Sequence, residues 1–418
     1  MNLVSSKPVS FLLGKLQLIL FIFPLTSLVL AFPGLAPVEG LANVLSFVGI
    51  IGSLAYVLFS DQIQVSLRGA IPLFLVLAFY AFSTTWAEPS VKANSSHVTM
   101  RTIFTVLQGF VIVNILGRYE LFRFLKSIGI VVALCNFAFI FLFPNQAAWY
   151  MDDASRTQGM FSSPNNMGQF LAFAFIVVNF VDRKGIPTAA WLALNGVIVF
   201  QLFKCDSMTS LSGCILISIC YQFKFLLRPL FVGVIAIGLI VPHLNTILGP
   251  SSASIGINNR DMTFTGRTEV WQIMMSDLKA RDRLTTGFGS GGYWLPNEGY
   301  NPYTTISELE WSPGQGHNGY MDVMVNTGIV GLALVLLFLA RMIVSLFRRV
   351  DYSEPVVYLL ALILLINNIT EASLFREKHL YFVLLCLVFW YAFLEKGEER
   401  SVAGAGVDAA GGLQLQGA

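Results

Sequence analysis

Charge is scarce in this sequence: Asp, Glu, Lys and Arg make up 12% of its 418 residues, against about 25% in soluble domains. That shortage excludes an ordinary soluble fold. With 55% hydrophobic side chains and a mean hydropathy of +0.69, the chain carries more apolar surface than a soluble core of this size buries, so lipid must solvate most of it. The formal net charge of +2 is too small to point to nucleic acid as a partner. Cysteine is also sparse. Cys135, Cys205, Cys214, Cys220 and Cys386 lie in or beside apolar runs, which leaves neither a disulfide framework nor a zinc-ligand spacing. A small-residue cleavage site is missing after the first apolar run, which follows Lys7 and Lys15, so that run reads as a first helix that stays.

What is present is a series of apolar segments near the roughly 20 residues that a bilayer core of about 30 Å requires. About twelve are expected, over 16–32, 41–59, 70–86, 99–116, 127–143, 165–182, 187–204, 208–223, 229–246, 320–346, 355–371 and 378–394. The segment 208–223 is short and rich in Ser and Thr, and without it the count falls by one. Its loss would invert every later loop, and the basic residues argue against that. With a cytoplasmic N-terminus, Lys7, Lys15, Arg68, Arg118, Arg123, Lys126, Arg183, Lys184, Lys224, Arg228, Arg341, Arg348, Arg349, Lys396 and Arg400 gather on one side. The short loops opposite hold only Lys92, Arg101, Arg156, Lys204, Arg376 and Lys378. The positive-inside rule then puts both termini in the cytoplasm and residues 247–319 outside.

The expected fold class is an all-α polytopic membrane protein with one large extracytoplasmic loop. Residues 1–246 would carry transmembrane helices 1–9, 247–319 the periplasmic loop, 320–395 transmembrane helices 10–12, and 396–418 a Gly/Ala-rich disordered cytoplasmic tail. The loop mixes Trp271, Trp294, Trp311 and several tyrosines with Gly and Pro turns, a composition that folds rather than tethers. Within it Val270, Trp271, Met274, Met275 and Leu278 recur at three- and four-residue spacing after Thr265 and Gly266, which predicts a short amphipathic helix over about 266–280.

Four polar clusters on the outer side carry the candidate chemistry. Gly314-Gln315-Gly316-His317-Asn318-Gly319-Tyr320 opens the tenth helix. There His317 is either a general base at the mouth of a membrane cavity, the role an imidazole suits near neutral pH, or an interfacial anchor. Thr265-Gly266-Arg267-Thr268-Glu269-Val270-Trp271 puts Arg267 in the first turn of the amphipathic helix. The helix terminus and guanidinium together suit phosphate, and the alternative is an i, i+4 stack of Arg267 on Trp271. Arg156 stands before Pro164-Asn165-Asn166, where it suits a diphosphate or sugar, or else reaches for lipid headgroups. Lys204 and Asp206 flank a tight turn, and mutual neutralisation is the structural reading there.

Gly287-Phe288-Gly289-Ser290-Gly291-Gly292-Tyr293-Trp294 is rich in glycine but lacks the Lys-Ser/Thr of a phosphate-binding loop. A flexible loop with aromatic faces suits sugar stacking better, and Gly289 is its centre. Glu371 is an ionisable group at the outer end of an apolar segment and hence a site candidate. The loop's acids, among them Asp261, Asp277 and Glu298, show no paired-carboxylate spacing for a metal, so neither metal nor cofactor is expected. A transporter or flippase is the rival of another class. It would draw on Asn136, Asn179, Asn195, Asn367 and Asn368, polar groups inside apolar segments.

Taken in order, Thr265-Gly266-Arg267-Thr268-Glu269-Val270-Trp271, Gly287-Phe288-Gly289, His317-Asn318-Gly319-Tyr320 and Asn326-Thr327-Gly328-Ile329-Val330-Gly331 resemble the bacterial O-antigen ligase/polymerase superfamily. Pro164-Asn165-Asn166 after Arg156 resembles it too, and Trp311-Ser312-Pro313-Gly314-Gln315 is nearer its exopolysaccharide-polymerase branch. The resemblance spans about residues 150–375 and implies a metal-independent, inverting glycosyltransferase of the inner membrane with a periplasmic active face. Its substrate would be a glycan on undecaprenyl diphosphate, polymerised into exopolysaccharide or O-antigen, or ligated to a lipid or protein acceptor. Implied partners are the lipid-linked donor, the glycan acceptor, membrane lipid and a chain-length regulator protein. Implied roles are catalysis for His317, diphosphate binding for Arg267, Arg156 and Lys204, and substrate binding for Asn318, Tyr320, Trp271, Glu269, Gly289, Asn165, Asn166 and Glu371. The family often has an arginine in the turn matched by residues 205–210, where this chain has none. Lys204 offers a point charge there but not a bidentate fork.

Overall fold

The computed structural model describes residues 12, 14–17, 19, 36–59, 63–149, 156–183, 185–243, 256–257, 260–261, 267–294, 314–350, 354–377 and 379–394. The first expected segment, much of the 247–319 loop and the 396–418 tail lie almost wholly outside these residues. The described chain is helical almost throughout. In order the helices are α1 (Ala36–Phe59), α2 (Ile71–Ser83), α3 (Lys92–Leu142), α4 (Pro164–Phe180), α5 (Thr188–Cys205), α6 (Met208–Gln222) and α7 (Leu227–Ile240). Then follow α8 (Arg267–Ala280), α9 (Gly319–Arg349), α10 (Pro355–Asn367) and α11 (Leu380–Ala392). Two antiparallel strands of two residues each, β1 (Ala148–Trp149) and β2 (Arg156–Thr157), pair between α3 and α4. A second such pair joins Gly256–Ile257 to Arg260–Asp261.

Local chemistry sets the helix starts. Pro164 occupies the first turn of α4 while the Ser163 hydroxyl accepts from the Asn166 amide at 3.2 Å. Proline costs nothing there, because the first-turn N–H groups have no helical partner, and serine fills one of those vacancies. Asn318 caps α9 and His379 caps α11 in the same way. Helices α3 and α9 are each interrupted by one glycine with positive φ, Gly117 and Gly328, a conformation that side-chain-bearing residues avoid.

Among the described residues six helices are long and apolar enough to cross a membrane: Leu67–Trp86, Lys92–Arg118, Glu120–Leu142, Thr188–Cys205, Lys224–His243 and Gly319–Arg349. The 13-residue helices α10 and α11 are shorter, yet Val356 to Asn367 and Tyr381 to Ala392 are buried on every side. A helix apolar all round needs no polar face only if other helices enclose it. Helices α4, α6, α7 and α11 pack around α10, α3 covers α4 and α11, and α2 lies on α9. The outer helices turn Val131, Leu134, Phe203, Val232, Ile237 and Leu337 outward, the surface that lipid would solvate. The protein is thus an all-α membrane protein, with its most completely buried helices at the centre.

The two ends differ. One end holds residues 84–91, 144–149, 156–163 and 206–207, α8, the 314–318 turn and the turn joining α10 to α11. The other collects arginines over aromatic rings: Arg183 on Trp191 at 4.2 Å, Arg341 on Phe393 at 5.1 Å and Arg228 on Phe347 at 5.3 Å. The interior asparagines that a transporter would use are engaged elsewhere. Asn136 donates to Gln201 at 2.7 Å, Asn179 donates to Asn195 at 2.8 Å, Asn367 accepts from Gln169 at 2.7 Å, and Asn368 accepts from the Ser373 and Leu374 amides.

Candidate active site

Three turns at one end of the bundle converge on Glu371. It stands in the turn between α10 and α11, four residues past the end of α10, because Asn368 stops the helix: its carboxamide oxygen takes the Ser373 and Leu374 amides at 2.9 and 3.0 Å. The Asn368 carbonyl also takes the Gly319 amide at 3.0 Å, which ties the start of α9 to this turn. Any side chain at Gly319 would strike the Asn368 carboxamide, 2.1 Å from the site of a Cβ.

The Glu371 carboxylate accepts from four side chains. Asn165 Nδ2 lies 2.7 Å and the Arg267 guanidinium 3.2 Å from Oε1, while Gln315 Nε2 at 3.2 Å and His317 Nδ1 at 3.3 Å face Oε2. That set saturates a group that is purely an acceptor when ionised. Burial alone would raise its pKa, but the hydrogen bond and charge of His317, then the charge of Arg267, outweigh burial and hold the carboxyl at about 2. Glu371 is therefore a buried anion with 10% of its side chain exposed.

His317 is held from both sides. Its φ of +48° is left-handed, uncommon for a side-chain-bearing residue and typically sustained by surrounding contacts. Gly316 before it donates to Asp322 Oδ1 at 2.8 Å and accepts from the Trp271 indole, and Asn318 after it caps α9. In the tautomer that donates Nδ1–H to Glu371, Nε2 is the basic nitrogen of the imidazole. His317 and Glu371 border a cavity of about 420 Å³ whose other walls include Arg156, Asn165, Asn166, Arg376 and His379. Burial, reinforced by the charge of Arg376, lowers His379 to about 3. Its Nδ1 accordingly accepts the Tyr381 amide at 3.3 Å as a neutral ring.

Residues 188–336 match the family model described as O-antigen ligase. This segment is similar to O-antigen ligases. The chain is also 24% identical over 242 residues to the exopolysaccharide production protein ExoQ of Rhizobium meliloti (strain 1021), across 53% of this chain and 55% of that protein. It thus spans about half the length of that relative. Both comparisons agree with the kinship read from the motifs, the O-antigen ligase/polymerase superfamily on its exopolysaccharide side. The matched segment contains Arg267 and His317, whereas Arg156, Asn165 and Glu371 come from outside it.

The site gathers some expected residues and sets others aside. His317, Glu371, Arg156, Asn165 and Asn166 meet at the cavity. Arg267 meets Glu371 but does not line the cavity, because its guanidinium donates to the Thr370 carbonyl and to Glu371. Lys204 is exposed, with its ammonium 6.0 Å from the Phe200 ring, and it lines no part of the cavity. The 205–206 turn beside it is held instead by Arg156, which donates to the Cys205 and Asp206 carbonyls and at 2.9 Å to Asn165.

Within the matched segment several expected substrate contacts are engaged in the frame of the fold. Asn318 is fully buried and spends its carboxamide on the Tyr320 and Met321 amides and the Gly238 and Ile369 carbonyls. Tyr320 is buried against Gly238, and Trp271 is buried in the small core beneath α8. Glu269 is exposed and accepts from the Thr268 hydroxyl at 3.2 Å.

Gly289 belongs to a buried turn rather than a flexible loop. The Phe288 and Gly289 amides donate to Val325 and Asn326, and the Ile329 and Val330 amides donate to Leu284 and Thr285. The turn thereby satisfies the backbone that Gly328 breaks in α9. Sequence reasoning missed the roles of Gln315, Arg376 and His379. The polar run Glu371, Arg376, Glu377 and His379 between two apolar segments was the available signal. Among the described residues no group of three or more His, Cys, Asp and Glu side chains could hold a metal ion.

Proposed function

We propose that the protein is a membrane glycosyltransferase that polymerises undecaprenyl-diphosphate-linked repeats into exopolysaccharide or O-antigen, with inversion and without a metal. The observation that carries this reading is the His317–Glu371 pair bordering a cavity shared with Arg156 and Arg376. His317 Nε2 takes the proton of an acceptor hydroxyl as that oxygen bonds to the anomeric carbon. The bond from that carbon to the diphosphate oxygen breaks, and the diphosphate departs with the electron pair. A diphosphate leaves as a stable anion and needs positive charge rather than a proton donor. Arg156 and Arg376 supply that charge at the cavity wall, and Arg267 acts from behind by fixing Glu371. Asn165 and Asn166 would contact sugar or phosphate from the mouth of α4.

The kinship of residues 188–336 supports this chemistry and keeps ligation of a finished glycan to a second acceptor as the alternative. The site end of the bundle would face the periplasm, with about twelve helices spanning the inner membrane. A positioned base contributes about 10²–10⁴-fold. Cells carrying His317→Ala, checked for normal insertion, should therefore lose long glycan and accumulate single lipid-linked repeats, read on a size-resolved glycan gel. Accumulation of long lipid-linked polymer would make the protein a ligase, and an unchanged profile would remove His317 from the chemistry.

A further inference from the structure

A second cavity, of about 480 Å³, adjoins the first, and Arg376 and Glu377 line both. Those two residues form the partition between the chambers. The volume falls within the roughly 300–1,000 Å³ of small-molecule sites. The lining differs from that of a diphosphate site, since Arg101 and Arg376 are matched by Asp322 and Glu377. Such balanced charge disfavours a polyanion and suits a neutral, hydroxyl-rich ligand.

Two polar atoms at this cavity lack partners. Ser290 is fully buried and its hydroxyl makes no hydrogen bond among the described residues, and neither does the Asn326 carboxamide oxygen. Buried polar atoms are nearly always satisfied, so this pair asks for an occupant with both donors and acceptors. Trp294 stands in the same wall, fixed by its indole N–H on Asp322 at 3.3 Å, and offers an aromatic surface. Hydroxyl partners beside an aromatic wall are the chemistry that a sugar ring fits.

We propose that this second cavity is a carbohydrate subsite, which holds a sugar ring of the acceptor glycan while its attacking hydroxyl reaches past Arg376 to His317. The subsite rests on the reading of His317 as the base, and its test is separate. The full chain is purified into lipid nanodiscs and titrated with oligosaccharides released by mild acid from the host's own surface polysaccharide, with binding read by saturation-transfer NMR. Wild type and His317→Ala should bind alike. Val98→Trp, which fills the cavity from α3, and Arg101→Ala, which removes an exposed donor without touching the core, should each bind roughly tenfold more weakly.

Equal binding by all four proteins, or none by wild type, overturns the subsite. So does loss of binding in His317→Ala, which would put the sugar in the first cavity, or displacement of the sugar by inorganic pyrophosphate, which would make the chamber an anion site. Sugar binding with the expected pattern, alongside an unchanged glycan profile in His317→Ala cells, would keep the subsite and remove the catalytic reading.

Discussion

At the scale of single residues the site is a carboxylate that organises its neighbours. Glu371 draws Asn165, Arg267, Gln315 and His317 from three separate segments, and its carboxylate faces Nδ1 of the imidazole. Replacing it by Gln would keep the shape, lose the charge, and turn an NH₂ group toward one pair of donors, so that either Gln315 and His317 or Asn165 and Arg267 lose their acceptor. Glu371→Gln should lower turnover by about 10²–10⁴-fold while the protein still inserts, because an oriented base is worth about that much. A pH signature accompanies this. The folded-state pKa of about 2 lies below the ordinary 4.5, so the ionised group favours the folded protein above about pH 4.5. That stabilisation fades as pH falls from there toward 2. The gap in unfolding temperature between wild type and Glu371→Gln in detergent should therefore be wide at pH 7 and narrower at pH 3. A gap that widens in acid would refute the anionic reading of Glu371. As candidates both were legible in sequence: Glu371 as an ionisable group at the end of an apolar segment, and His317 in a polar, glycine-rich cluster that opens a long apolar run. Asn318, Tyr320 and Trp271 stand beside the same motifs and serve the frame, a distinction that short motifs do not encode.

At the scale of elements the break in α9 explains the glycine pattern. Gly328, at φ +66°, lies where a Cβ would come within 2.2 Å of the Thr285 carbonyl oxygen. The backbone exchange with residues 284–289 needs that close approach, and Gly287 meets the Asn326 carbonyl carbon at 2.5 Å in the same sense. Gly328→Ala should destabilise the protein on the order of 2–5 kcal/mol, from the disfavoured dihedrals and the collision together. Gly196→Ala, on α5 with nothing within 4 Å of its added methyl, is the control and should leave the unfolding temperature unchanged or raised. Equal losses in the two variants would sink the account. The helices themselves were readable because a spanning segment is a long apolar run. The pairing of the glycine turn with α9 was not, since backbone-to-backbone bonds leave no side-chain periodicity. The eleventh segment was read to residue 371 although α10 ends at Asn367, because capping by Asn368 depends on a turn that hydropathy does not register.

At the scale of the whole molecule the charge asymmetry and the site fall at opposite ends. Arg118, Arg123, Lys126, Arg183, Lys224 and Arg348 lie at or near the end where Val65 pairs with Leu394. His317, Glu371 and both cavities lie at the other. Lysine and arginine are retained on the cytoplasmic side during insertion, so the cavities should face outward, where a lipid-linked glycan already carried across the membrane would meet them. Lys92 and Arg123 are exposed on the two halves of α3, toward the site end and the basic end respectively. In spheroplasts, a membrane-impermeant maleimide should label Lys92→Cys at once and Arg123→Cys only after permeabilisation. The native thiols interfere little, since Cys205, Cys214, Cys220 and Cys386 are buried and Cys135 sits within a span that lipid would cover. The reverse pattern would place His317 in the cytoplasm, where the positive-inside argument and the periplasmic glycan reading would fail together. Labelling of both positions in intact spheroplasts would instead show that the first half of α3 does not separate them across the bilayer, and the assignment of Lys92–Arg118 as a span would fall.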